Sequence, residues 1–213
     1  EQPIIEVHKL PEKPFDLSLR KAIVAVNDSN AMVNIDGESA TRALNDDGSI
    51  KIESIDTSSL VNPGTTATYK HRKDPIVVET GDTITYSITI YNEAEHAGYA
   101  HQIVDQLPGT FGTGLRLATD NGKIITSTKG NTYKLDYAAT PNTITLTMTN
   151  DSLKNVLAPY DAETGSLDSE TILIKCVVMG KPDAAYSKTL TNVAYISQEY
   201  NEYYDTIVST NTI

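Results

Sequence analysis

Three stretches of the sequence each set one polar residue in line with apolar ones. FDLSLRKAI, residues 15–23, alternates like a half-buried strand, and Lys21 falls on the same face as Phe15, Leu17, Leu19 and Ile23. In HQIVDQL, Asp105 shares a face with Ile103 and Leu107; in TLTNVAYIS, Asn192 shares one with Leu190, Ala194 and Ile196. Burying a lone charge is expensive, so desolvation lowers the pKa of a lysine and raises that of an aspartic acid. A Lys and an Asp buried together are therefore driven toward a neutral amine beside a protonated acid. That amine is a nucleophile. The protonated carboxyl can hydrogen-bond the carboxamide oxygen of an Asn and polarise its carbon. Attack expels ammonia and leaves an amide between the Lys21 and Asn192 side chains, with Asp105 moving protons and not being consumed. Such a reaction needs no cofactor and no metal. It happens once per chain, so the expectation is a single intramolecular event and not an enzyme with turnover.

The elements that must bring these residues together are strands. Twelve Tyr, abundant Thr and the absence of Trp suit half-buried sheet faces. TITYSITIYN alternates cleanly, with Ile84, Tyr86, Ile88 and Ile90 on one face. IVVE, from Ile76, reads as a strand running into a Gly81–Asp82 turn, and AHQIVDQLP as another ending at Pro108. TYKLDY, NTITLTMT, ETILIKCVVMG and KTLTNVAYIS are four further strands, separated by turn signals at Asp120-Asn121-Gly122 and Lys129-Gly130-Asn131. The segment 151–170 is expected to hold one short helix before Pro159. Many short strands with almost no helical period predict an all-β sandwich. One domain is expected over 15–198, with an irregular insertion at about 27–65 read as turns and an extra hairpin. Residues 1–14, broken by Pro3, Pro11 and Pro14, read as a linker, and 199–213 as a terminal edge strand or a linker to a following domain.

FDLSLRKAI near the start, GDTITYSITIYN followed by HQIVDQLPG in the middle, and LTNVAYIS near the end resemble the CNA-A-type, or fimbrial, isopeptide-forming domains of Gram-positive surface proteins. The resemblance covers most of the chain outside 27–65. It implies an immunoglobulin-like β-sandwich with Greek-key connections, whose first and last strands are joined by a Lys–Asn isopeptide bond. On this sequence it puts the reactive lysine at Lys21, the acid at Asp105 in D-x-L-P, and the asparagine at Asn192 in N-x-A. The long insertion leaves Lys70 and Lys73, nearer the middle motif, as rival nucleophiles. They rank lower because Thr68, Arg72 and Asp74 around them are polar. Glu170 and Asp82 are rival acids, each adjoining an expected turn. Each of the three residues also has a plainer use taken singly: a snorkelling lysine, a turn-closing aspartate, an asparagine at a sheet edge. Their combination carries the covalent reading.

That reading makes the chain a structural domain of a pilus, stalk or adhesin, extracellular and attached to the cell wall, with neighbouring domains of the same protein as partners. The alternative is an adhesin module that binds a host protein or glycan through its loops and forms no such bond. The formal charge of −11 and pI near 4.7 argue against nucleic acid and anionic membranes as partners. No segment is apolar enough to span a membrane, and EQPIIEVHKLPEKP is too polar for a secretory leader. Cys176 is the only cysteine, so no internal disulfide can form; it alternates with Ile172, Ile174 and Val178 and reads as a small core residue. His8, His71, His96 and His101 lack metal-ligand spacing, the acidic turns lack the alternating ligands of a calcium loop, and neither a nucleophile elbow nor a P-loop is present.

Overall fold

The computed structural model describes residues 15–61, 65–110, 112–150, 154–180 and 190–201. Eleven strands form in them: β1 (Leu17–Val26), β2 (Ser54–Asp56), β3 (Thr68–Lys70), β4 (Thr83–Asn92), β5 (Gly98–Gln106), β6 (Gly114–Leu117), β7 (Ile124–Thr126), β8 (Thr132–Ala139), β9 (Asn142–Met148), β10 (Ser169–Gly180) and β11 (Val193–Asn201). The only helix among the described residues is a single 3-10 turn, Ser58–Val61. One sheet has the order β1-β4-β10-β6, the other β11-β5-β9-β8-β7, and every pairing is antiparallel. The two sheets pack face to face as an all-β, immunoglobulin-like sandwich.

The core lies where the alternation places it. Ile84, Tyr86, Ile88 and Ile90 of β4 face inward with Leu17 and Leu19 of β1 and Ile172, Ile174 and Cys176 of β10. Ile103, Leu135, Ile144, Leu146 and Ile196 meet them from the other sheet. The register pairs Leu19 with Ile90, Lys21 with Ile88 and Ile23 with Tyr86, so Lys21 stands in the inward row of β1. A bulge between Ile23 and Ala25 breaks that row only after Lys21 has been placed.

Some expected elements differ. Ile76–Glu79 forms no strand. Pro75 precedes it, and Val77 gives one backbone hydrogen bond, to Val33 at 3.0 Å, with no ladder behind it. The described part of 151–170 holds no helix. Leu157 is fully buried there and exchanges two backbone bonds with Gly98, at 3.0 and 2.7 Å, which ties the segment to β5 in extended form. The last strand starts at Val193, later than KTLTNVAYIS suggests, and runs to Asn201. The expected linker at 1–14 and the tail beyond Asn201 lie outside the described residues.

The insertion contains two short turns, bridged at Val33–Ser39 and Leu44–Ile50, and then the β2–β3 ribbon. It is laid over the outer face of β4. Ser87 and Thr89 are buried under it, and the Ile50 amide donates to Ser87 Oγ at 3.4 Å. Glu93, buried just after β4, accepts from Tyr69 OH at 2.6 Å, Thr66 Oγ1 at 3.0 Å and the Ala67 amide at 3.2 Å. That carboxylate anchors the end of the insertion to the sandwich.

Candidate functional site

Lys21 comes from one sheet and Asp105 from the other, and they meet inside the sandwich. Lys21 Nζ donates to Asp105 Oδ2 at 2.5 Å, and the two side chains are 8% and 1% exposed. β11 pairs with β5 so that Ala194 lies opposite Asp105. Asn192, two residues earlier, is therefore the diagonal neighbour of Asp105 on the same inward face. Its carboxamide sits close enough to both Asp105 and the Tyr86 hydroxyl to affect their protonation. Neither amide atom of Asn192 completes a well-formed hydrogen bond among the described residues, and neither does Asp105 Oδ1, although all three atoms are buried. Buried polar atoms of native folds are nearly always paired, and each orphan costs roughly 1–3 kcal/mol. Three such atoms lie together in this one buried cluster, two on Asn192 and one on Asp105.

The electrostatics favour the uncharged forms. Burial lowers the Lys21 pKa, against the pull of the Asp105 charge and hydrogen bond. Burial likewise raises that of Asp105, against the opposing effects of Lys21 and Asn192. Both shifts move the pair toward amine and acid by passing one proton across the 2.5 Å contact. Lys21 Nζ also lies 4.3 Å from the centroid of the Tyr86 ring. Cys176 is fully buried nearby, and burial pushes its thiol up to about 12, so it stays protonated and inert.

These shifts predict a stability profile for the variant Asn192→Ala, which keeps both groups. Between the lowered folded pKa of Lys21 and its ordinary 10.5, the unfolded chain binds more protons than the folded one, so stability rises with pH. Between the ordinary 3.8 of Asp105 and its raised folded value, the folded chain binds more, so stability falls as pH rises. Urea unfolding of Asn192→Ala, minus that of Asn192→Ala/Lys21→Met/Asp105→Leu, should be least favourable to the former in the middle of a series from about pH 3 to about pH 10 and improve at both ends. A flat difference would mean that the buried pair is not strained.

The rival residues lie elsewhere. Lys70 is 74% exposed and pairs with Glu53 at 3.3 Å, and Lys73 is exposed. Asp82 accepts from Asn27 Nδ2 and from the Glu79 amide, both at 2.7 Å, at a surface turn. Glu170 is not the turn-side residue its sequence position suggests. It faces inward from β10, fully buried, and accepts from Ser127 Oγ at 2.7 Å, Asn131 Nδ2 at 3.0 Å and Tyr133 OH at 2.7 Å. Among the described residues its hydrogen-bond partners are neutral side chains, and it fastens β8 and the 127–131 turn to β10. Tyr86 is the site residue that pattern reading passed over as plain core. Its signal was its hydroxyl, the only polar group in the inward row Ile84, Tyr86, Ile88, Ile90.

No family model, curated protein or solved structure matches this chain.

Proposed function

We propose that this is a structural domain of a bacterial cell-surface protein, a pilus, stalk or adhesin, that staples itself with a Lys21–Asn192 isopeptide bond. The observation that carries this reading is the buried Lys21–Asp105 contact at 2.5 Å with the unpaired Asn192 carboxamide beside it. The motif resemblance at FDLSLRKAI, HQIVDQLPG and LTNVAYIS supports it. Lys21 passes a proton to Asp105 and attacks Asn192 Cγ. The Nζ–Cγ bond forms, the Cγ–Nδ2 bond breaks, and ammonia leaves. Of the five protons on the lysine ammonium and the carboxamide, three depart with ammonia and one stays on the new amide. The fifth rests on Asp105, whose raised pKa suits it to keep that proton.

Burial also favours the product. A desolvated ion pair is poor value inside a protein, whereas a neutral amide with a protonated acid beside it is cheap to bury. The bond ties β1 to the segment leading into β11, across the two sheets. A load entering at β1 and leaving at β11 passes through it and spares the strands between. A chain that works under tension outside the cell gains a link that no reductant opens.

Intact mass of the purified chain tests the reading. The expected result is a wild-type deficit of about 17 Da, one ammonia, that disappears in both Lys21→Ala and Asn192→Ala. A folded wild type with its full sequence mass would falsify it.

A further inference from the structure

We propose that Glu199 is a positioning residue for the cross-link: by holding the Leu17 amide it fixes how β1 lies against β11, and so where the Lys21 amine stands relative to the Asn192 carboxamide. This rests on the isopeptide reading. β1 is an edge strand of one sheet and β11 an edge strand of the other, and no ladder joins them among the described residues. Asn192, Ala194 and Ile196 form one inward row, and by the period of two the next inward position is Gln198. Two irregularities in the β11–β5 ladder, between Ile196 and Gln198 and between Gln198 and Glu199, break that phase. Glu199 turns in instead. It is fully buried, and its Oε2 accepts from the Leu17 backbone amide at 3.2 Å. A bulge re-aims a side chain at the expense of ladder hydrogen bonds, and burying a carboxyl is costly as well. Both costs are incurred at one contact, which joins the first strand to the last across 182 residues of chain.

Strand geometry gives that contact its task. Leu17 and Lys21 stand in the same inward row of β1, roughly 13 Å apart along an extended strand. The bulge in β1 comes after Lys21, so the stretch between them is regular. At its far end Lys21 is held to Asp105 of the other sheet at 2.5 Å. β1 is thus tied to the opposite sheet at two points. A single tie fixes one point and leaves the angle of the strand to apolar contacts, which are not directional. The second tie fixes the line. The two ties also differ in what they align. The Lys21–Asp105 contact sets the nucleophile against the acid on β5. The Leu17–Glu199 bond sets the strand of the nucleophile against β11, and Asn192 immediately precedes β11. Attack on Cγ requires the amine within about 3–3.5 Å, and a misplacement of about 1 Å costs about a hundredfold in rate.

The test is a time course of ammonia loss. Wild type and variants are made by cell-free synthesis, translation is stopped, and samples are acid-quenched for intact mass. Glu199→Met keeps the bulk and removes the acceptor, whereas Glu199→Gln keeps an oxygen that can take the Leu17 amide. The expected result is a Met chain slowed about 10–100-fold and a Gln chain within about twofold of wild type. Glu199→Asp, whose shorter arm holds the carboxyl back from Leu17, should be slowed as the Met chain is, and it carries the test where the Met chain does not fold. Ser127→Ala takes a hydrogen bond from a different buried carboxyl, Glu170, and should leave the rate unchanged. Circular dichroism of each variant combined with Asn192→Ala, which cannot cross-link, sets a temperature at which the compared chains are folded. Met and Asp chains that react at the wild-type rate overturn the role of Glu199 and leave the bond standing. A Gln chain as slow as the Met chain does the same, and so does an equal slowing in Ser127→Ala. A wild type that never loses ammonia overturns the bond, and this inference with it.

Discussion

Asn192→Ala should lose about 5 kcal/mol of stability in guanidinium unfolding relative to wild type. The proposed Lys21–Asn192 link would close a loop over most of the chain, and the chain-entropy relation for cross-links gives that figure for so long a loop. For a domain of this size the loss should lower Tm by roughly 10–20 °C. Asn192→Ala is the cleaner variant because it removes the proposed acceptor and leaves the 2.5 Å Lys21–Asp105 contact in place. Lys21→Ala removes the proposed nucleophile and also strips Asp105 of its partner. The raised pKa lets that carboxyl escape as the neutral acid, so the added cost should stay near roughly 1–3 kcal/mol. The expected order is wild type, then Asn192→Ala, then Lys21→Ala. The same Tm for all three would mean that no cross-link exists in the wild type.

Asp105→Asn should abolish bond formation while keeping the fold. The substitution preserves shape and an oxygen for Lys21 Nζ, but it cannot take a proton from one nitrogen and give it to another. Removing a positioned general acid–base typically slows a reaction by about 10²–10⁴-fold. Lys21 would still be buried and still be driven toward the neutral amine by desolvation, so the nucleophile survives without a proton path. The chain should keep its full sequence mass for hours after purification and melt with Asn192→Ala. Full loss of about 17 Da in Asp105→Asn would show that Asp105 is only a neighbour of the reaction.

The period of two along each strand was enough to pick Lys21, Asp105 and Asn192 out of the sequence. An inward polar residue in an apolar row is a conflict that the sequence displays without any partner being known. Tyr86 raised no such conflict, because a tyrosine is a good core residue and its hydroxyl is silent until something stands next to it. Glu170 misled for the opposite reason. Its place at the head of a strand suggested a solvated turn, whereas Ser127, Asn131 and Tyr133, more than 35 residues away in sequence, make a buried carboxylate tolerable there. The IVVE segment had strand-forming residues and lacked a neighbour to pair with, which no local pattern reports.

By itself the sequence determined the class of the fold, the inward faces of its main strands, and the three side chains whose chemistry is out of place on them. These follow from backbone geometry, which alternates side chains whatever the strand is paired with. Only the tertiary structure decided that Lys21 and Asp105, 84 residues apart, come within 2.5 Å of each other across the sandwich, with Asn192 diagonal to the acid and Tyr86 under the amine. It alone decided too that the insertion buries the Ser87–Thr89 face of β4. Distances of this kind are set by register and sheet packing. Those depend on the summed burial of the whole core and not on the residues that happen to meet.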